Sequence, residues 1–316
     1  MNDKIISLLK SKKEYVSGEE ISQKFGISRA AIWKHINELR LLGYKIDAVS
    51  HCGYRLKSSP DKLFHFEVLR DLRTEIIGQK MIYKEEVSST MDEAFQLALN
   101  GEKEGTVVCA ERQTKGRGRM GRVWVSPKLK GIYLSIILRP SLPPSNIARL
   151  TLLVGVALCE AINRISPVGA EIKWPNDVLI KGKKVAGILT EINAEMDRVR
   201  FCIIGLGVNV NTALRVLPSG STSLKNETGR CYSRVKVTQE ILKKLDFWYG
   251  LLKKEGFASI IERWKELSST LGRHIIIKDQ DRCVEGKAID LDEYGGLVIK
   301  TRDGRIVKRM SGDVIQ

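Results

Sequence analysis

The chain has 316 residues, 43% hydrophobic and 28% charged, the ordinary composition of a globular protein with room for two or three domains. Basic residues outnumber acidic ones by 53 to 37, and the net +16 points to an anionic partner. No apolar stretch of a signal peptide opens the chain, and the longest apolar run, Leu150 to Ala161, contains Thr151 and Glu160 and reads as too short to cross a bilayer, so a cytoplasmic location without membrane contact is expected.

The positive charge is concentrated in two places. Residues 1–58 carry eleven basic and six acidic side chains, and residues 112–130 carry seven basic side chains and no acid. The six cysteines (Cys52, Cys109, Cys159, Cys202, Cys231 and Cys283) form no C-x-x-C pair and have four histidines for company. They read as reduced thiols, and no metal site built from protein side chains alone is expected.

In chain order, Asp3 to Leu9 sets Ile5, Ile6, Leu8 and Leu9 on one side of a short helix. Ser17-Gly-Glu-Glu20 reads as a capping box opening a second helix that contains Ile21 and Phe25 and stops at Gly26. Ser28 can cap a third, in which Ile32, Ile36 and Leu39 recur at helical spacing and which Gly43 ends. Two short helices joined by Gly26-Ile27 form a helix-turn-helix. Ser28, Arg29, Ala30, Trp33, Lys34 and Asn37 lie at the start and on the polar face of the second of them, where a recognition helix contacts DNA. Tyr44 to Ile46 and Tyr54 to Leu56 flank a turn at Gly53 and make a wing. Small trihelical units also serve for dimerisation or protein docking; the basic balance and the wing favour DNA. Residues 57–61 have linker composition, which ends a first domain at residue 60.

Gly116-Arg-Gly-Arg-Met-Gly121 has the spacing of a dinucleotide-binding turn, but its context rejects that reading. Arg122-Val-Trp-Val-Ser-Pro127 prevents a clean helix start, no acidic residue occurs between Arg112 and Arg149, and no Gly-Lys-Ser/Thr follows. What remains is a flexible loop whose glycines bring N–H groups close to a ligand while Arg117, Arg119 and Arg122 offer forked donors for phosphate or carboxylate. Further on, Lys173-Trp-Pro-Asn-Asp177 leaves a strand at Pro175, and Val178 to Ile180 and Val185 to Ile192 form a hairpin about Gly182. Lys184 enters that apolar strand with its ammonium either on the functional face of the sheet or in water. Phe201 to Asn211 is a buried strand ending in Asn209 and Asn211.

Taken together, Ser88-Ser-Thr90, the run Glu111 to Arg122, Lys173 to Asp177, Lys184 to Leu189 and Gly205-Leu-Gly-Val-Asn209 resemble the biotin protein ligase family over essentially the entire chain. With its helix-turn-helix head, the chain is similar to the bifunctional subclass that also represses biotin genes. The resemblance implies a two-step reaction. Biotin carboxylate attacks the α-phosphate of ATP to give biotinyl-5′-AMP, shielded by Mg2+, and a lysine of a biotin carboxyl carrier protein then attacks the mixed anhydride. It implies catalytic roles for Lys184, Arg119 and Asp177; biotin contacts for Ser89, Thr90, Met91, Gln113, Arg117, Gly118, Arg119 and Lys184; and nucleotide contacts for Arg119, Arg122, Lys173, Trp174, Asn176 and Asn209. It also implies operator DNA as a partner, biotinyl-AMP as corepressor and a homodimer when the adenylate is bound. Two residues depart from the family pattern: Met120 where an arginine is common, and Met91 where a polar residue is common.

Past Arg273, short β runs at His274 to Lys278, Cys283 to Ile289, Leu297 to Thr301 and Arg305 to Arg309 read as a small SH3-like barrel or a stabilising cap. Helices are expected at Met91 to Leu99, Asn146 to Arg164, Thr238 to Glu255 and Ile260 to Ser269. The expected fold is α+β: a winged helix-turn-helix (1–60), a class II synthetase-like α/β sandwich (64–270) and an SH3-like domain (271–316). The competing functions are a ligand-sensing regulator without catalysis, a lipoate ligase, and a nucleic-acid-binding protein that uses the basic loop.

Overall fold

Local signals decide the structure of the first sixty residues. Helix α1 (Asn2–Ser11) buries Ile5, Ile6, Leu8 and Leu9. Helix α2 (Gly18–Phe25) begins where Ser17 Oγ accepts the Glu20 N–H at 3.0 Å and stops where Gly26 turns left-handed at φ 65°. Helix α3 (Arg29–Leu41) is capped by Ser28, which accepts the Ala31 N–H at 3.2 Å, and buries Ile32, Ile36 and Leu39. Strands β1 (Lys45–Val49) and β2 (Gly53–Ser58) then pair antiparallel as the expected wing. Gly53 is required there: at φ 105°, a Cβ would stand 2.1 Å from the Val16 carbonyl oxygen, whose residue exchanges two backbone hydrogen bonds with Tyr54. This computed structural model describes residues 1–196, 198–279 and 282–315, and the chain divides into two units, Met1–Lys62 and Leu63–Gln316.

The second unit is built on a seven-stranded sheet. After helix α4 (His65–Val68) come β3 (Met81–Val87), α5 (Thr90–Leu99), β4 (Val107–Gln113), β5 (Gly131–Leu138), α6 (Ala148–Ile165), β6 (Ala170–Lys173), β7 (Asp177–Ile180), β8 (Lys183–Ala194) and β9 (Val199–Asn209). Helices α7 (Leu224–Thr228), α8 (Arg234–Glu255) and α9 (Ala258–Glu266) follow. The strand order is β3-β4-β5-β9-β8-β7-β6, with β3 and β4 parallel and every other pair antiparallel. Both faces are covered, so successive residues of one strand enter different cores: in β4, Val107 and Cys109 join the large core under α6, α8 and α9, while Val108 joins the smaller one under α5.

The last strands, β10 (His274–Asp279), β11 (Arg282–Leu291), β12 (Leu297–Lys300), β13 (Ile306–Arg309) and β14 (Asp313–Ile315), form an antiparallel sheet in the order β13-β12-β11-β10-β14. The four expected runs are there, and β14 is a fifth, three residues long and too short for alternation to reveal. Ile277, Ala288, Leu297 and Ile299 belong to the same core as α6 and α8, so this sheet is packed into the large core.

One expectation is corrected. The segment Pro144–Ile165 is, at 22 residues, long and apolar enough to cross a membrane by length and composition. Two thirds of its most apolar window is buried inside the fold, the arrangement of a core helix, with Thr151 near one end hydrogen-bonded to Thr190 on β8.

Candidate active site

A cavity of about 240 Å³ opens between the Gly-Arg loop and strands β5, β7, β8 and β9. Its floor is neutral and hydrogen-bonded within itself. Ser89 caps α5 by accepting the Met91 N–H at 3.2 Å, which places the next residue, Thr90, at the mouth of the helix. The Thr90 N–H and Oγ1 donate to Gln113 Oε1 at 2.9 and 3.1 Å, Ser135 Oγ donates to Thr90 Oγ1 at 2.8 Å, and Gln113 Nε2 donates to Ser126 Oγ at 3.0 Å. Met91, Leu134, Ile188, Leu189 and Leu206 supply apolar wall. Met91 is buried and its Sδ lies where a Cβ on Gly205 would come within 2.5 Å, so this side chain contributes packing.

Two glycines shape one side. Gly187 of β8 pairs with Gly207 of β9, and a Cβ would approach the Trp124 ring within 2.9 Å at Gly187 and 2.2 Å at Gly207. The missing side chains let the Trp124 indole lie against the sheet, with Lys184 Nζ 5.5 Å from the ring centroid. Sequence reasoning missed Trp124 as a site residue, although its position directly after the loop and the paired small residues were readable. It also missed Pro218, Ser221 and Asp313, which line the cavity from distant segments.

The rim is charged. Lys184 Nζ stands 2.6 Å from Asp177 Oδ1, so the lysine faces the cavity and not open water. Arg119 Nη1 donates to Asn176 Oδ1 at 3.0 Å, and Asn176 Nδ2 donates to the Ile188 carbonyl at 2.8 Å. Arg122 forks onto the Asp313 carboxylate. Arg117 is bidentate on Glu191, at 3.1 Å for both bonds, and also reaches Asp92 at 2.6 Å; the Glu191 hydrogen bond raises the guanidinium pKa. Burial lowers the Lys173 pKa; Asp177 opposes the shift, while Lys184 and Arg122 add to it.

The loop expected to be flexible is folded as a tight hairpin. The Gly118 N–H donates to the Arg122 carbonyl at 2.7 Å and the Trp124 N–H to the Gly116 carbonyl at 2.9 Å, with the exposed Met120 at φ 55° at the tip.

The structure thus brings Ser89, Thr90, Met91, Gln113, Arg117, Gly118, Arg119, Arg122, Asn176, Asp177 and Lys184 to one cavity. Two residues expected at the nucleotide, Trp174 and Asn209, do not line this cavity. Trp174 is 2% exposed and its Nε1 donates to the Gly295 carbonyl at 3.1 Å; Asn209 is 3% exposed and its Nδ2 donates to the Thr222 carbonyl at 3.0 Å. Those hydrogen bonds tie both side chains to neighbouring loops, and Trp174 lines a second cavity beside this one. Lys173 is half-buried and does not line the cavity.

In the head, Ser28 is the cap, and Arg29, Ala30, Trp33 and Lys34 are exposed, Trp33 at 62%. Of these, Arg29 lines a groove of about 530 Å³ that is also bounded by Ser17, Val49, His51 and Tyr54. Among the described residues, no group of three or more His, Cys, Asp or Glu is placed to hold a metal ion.

An apolar pocket with a neutral polar floor and a cationic rim suits a ligand with an uncharged polar head, an aliphatic middle and an anionic end. Residues 83–209 match the biotin/lipoate A/B protein ligase family, residues 2–55 an HTH domain and residues 270–315 the biotin protein ligase C-terminal domain. The bifunctional ligase/repressor BirA of Bacillus spizizenii is 43% identical over 95% of this chain and 94% of its own length. The protein of the same name from Escherichia coli is 31% identical over 98% and 95% respectively. The chain belongs to the bifunctional ligase/repressor family. A solved structure of the Aquifex aeolicus biotin protein ligase, in complex with biotin and ATP, is 32% identical and superposes with a TM-score of 0.65 over 75% of this chain and 98% of that one.

Proposed function

We infer that this member of the family is an ATP-dependent biotin protein ligase and a DNA-binding repressor of biotin genes. The observation that carries the ligase reading is the polarity of this cavity, with neutral donors and acceptors at Ser89, Thr90 and Gln113 and the cations Arg117, Arg119, Arg122 and Lys184 at the rim. A ureido ring matches the floor. A lipoyl dithiolane, which has no hydrogen-bonding groups, would leave the floor's spare capacity unmet, so biotin is favoured over lipoate.

We propose these roles for the residues. Biotin's carboxylate and the α-phosphate of ATP are both anions, and Lys184 and Arg119 are held where both can be neutralised as they meet. The carboxylate oxygen bonds to phosphorus and pyrophosphate leaves, giving biotinyl-5′-AMP. The acceptor lysine then attacks the acyl carbon and AMP departs, with Asp177 beside the incoming amine. Arg122 and Asn176 serve the nucleotide, and Trp174, Asn209 and Lys173 support that side from behind. Asp177 and Asp313 are both paired to cations, so Mg2+ would be held through the triphosphate oxygens and shield their charge. Incubation with ATP, Mg2+, biotin and a biotin carboxyl carrier domain, followed by mass spectrometry, tests this reading. A carrier lysine without added biotin, or one modified by lipoate in preference, would overturn it.

For the head, we propose a cytoplasmic homodimer that places two α3 helices on operator half-sites when biotinyl-AMP is bound, the DNA-binding region being 1–60, the ligase 64–270 and the SH3-like assisting sheet 271–316. A clue to coupling is that β7 pairs with β8 only as far as Gly187, leaving Leu189 to Ala194 an open strand edge that carries Glu191, the partner of Arg117. Lys34→Ala should cost roughly 1–3 kcal/mol on the operator alone if Lys34 contacts a base, or weaken all DNA and lower the salt slope by about one if it contacts a phosphate. Parental binding to both DNAs would remove Lys34 from the interface.

A further inference from the structure

A second cavity, of about 160 Å³, lies beside the first and is separated from it by Arg119, Asn176, Ile188 and Leu189, which line both. Its other walls come from the start of α6 (Ala148, Thr151, Leu152), from Thr190 of β8, from Trp174-Pro175 and from Gly295 and Met310. Met310 is half exposed, so the cavity has an outer end, while the Arg119–Asn176 hydrogen bond of 3.0 Å stands at its inner end.

We propose that this second cavity admits the side chain of the acceptor lysine and delivers its amine to the adenylate; the proposal rests on the ligase reading above. Once acyl group and nucleotide fill the first cavity, a third reactant needs its own way to the acyl carbon, and the shared wall at Arg119 and Asn176 is where the two spaces meet. The walls suit the occupant. Leu152, Pro175 and Met310 are aliphatic and can strip water from a four-methylene stem, and the Thr151 and Thr190 hydroxyls, 2.9 Å apart, can hydrogen-bond an N–H along the way.

The charges also fit the chemistry. No acidic residue lines this cavity, and the charged group at its inner end is the Arg119 cation. Burial and a like charge both disfavour an ammonium ion, so the amine arrives neutral, the form that can attack. Its lone pair forms the bond to the acyl carbon, the bond from that carbon to the phosphate oxygen breaks with its electrons leaving on AMP, and the proton shed by nitrogen passes to Asp177, the neighbour of Asn176.

Two experiments test this. Ala148→Phe and Thr151→Leu, made separately, fill the cavity without touching the first. Biotin-dependent exchange of pyrophosphate into ATP should stay at the parental rate. Single-turnover transfer from preformed biotinyl-AMP to the carrier domain should fall about a hundredfold, the cost of a misplaced reactant. Transfer at the parental rate by either folded variant overturns the proposal, whereas absence of pyrophosphate exchange in the parent overturns the ligase reading instead. The second experiment uses the unmodified enzyme, so it does not depend on a variant folding. Enzyme holding the adenylate is offered hydroxylamine and straight-chain amines of one to six carbons. Reactivity of the neutral amines should climb on the order of threefold per methylene as each is buried, and level off near four carbons. A flat dependence on chain length overturns the proposal.

Discussion

The floor and the rim of the first cavity are built on different principles. On the floor, Thr90, Gln113, Ser126 and Ser135 are neutral, largely buried and bonded to one another, and Ser89 accepts the Met91 N–H, so each is fixed before a ligand arrives. On the rim, Arg117, Arg119, Arg122 and Lys184 are held by carboxylates and an amide at the edge of solvent, contacts that exchange at little cost. A fixed floor selects shape and hydrogen-bonding pattern; an exchangeable rim can hand its cations from protein carboxylates to a phosphate. Recognition of the uncharged ring and stabilisation of the reacting anions are thereby assigned to separate sets of side chains.

The contrast predicts unequal losses. Lys184→Ala should slow biotin-dependent pyrophosphate release by a factor on the order of 100 to 1,000, the usual loss of a preorganised charge at a transition state, while the melting temperature barely moves. An unaltered rate would remove Lys184 from the chemistry. Arg119→Gly deletes a forked donor from the acyl–phosphate junction, and the missing charge-assisted hydrogen bond, about 1.5–3 kcal/mol, should release biotinyl-AMP roughly ten to a hundred times faster. Trapping of free adenylate with hydroxylamine measures this, and parental retention would contradict it.

On the floor, Thr90→Val preserves shape but takes a donor from Gln113 and an acceptor from Ser135. Leaving buried polar groups short of partners costs roughly 1–3 kcal/mol, so the Michaelis constant for biotin should rise about tenfold with kcat nearly unchanged. A fall in kcat with an unchanged biotin constant would place Thr90 among the reacting groups and erase the distinction between floor and rim.

How far the sequence could be read follows the same division between near and distant partners. The Ser17 and Ser28 caps and the left-handed Gly26 were legible because each acts within a few residues. The Gly-Arg loop announced its cations, but not their partners: Glu191 lies 74 residues from Arg117, and Asp313 lies 191 from Arg122. Only the fold brings such pairs together, which is why the loop read as flexible and is a tied hairpin. The resemblance names Trp174 and Asn209 by their order in a motif, and order alone does not tell that neither lines the first cavity. Strand β14 was too short to show a pattern, yet it carries Asp313 into the cavity.

The weakest predicted effect tests the exchangeable character of the rim most directly. Arg122 and Asp313 have side-chain exposures of 62% and 32%, and pairs of that kind contribute about 0–1 kcal/mol. If Asp313 merely parks Arg122 until a nucleotide phosphate arrives, Asp313→Asn should free the guanidinium and lower the Michaelis constant for ATP by no more than about fivefold, with the constant for biotin unchanged. The gain should shrink as salt is raised, because charges this exposed are screened over about 8–10 Å near physiological ionic strength and about 3 Å at 1 M. Steady-state kinetics at two salt concentrations reads both effects. A Michaelis constant for ATP that rises instead would make Asp313 a group the nucleotide needs, and a change as large as that at Thr90 would mean this part of the rim is as fixed as the floor.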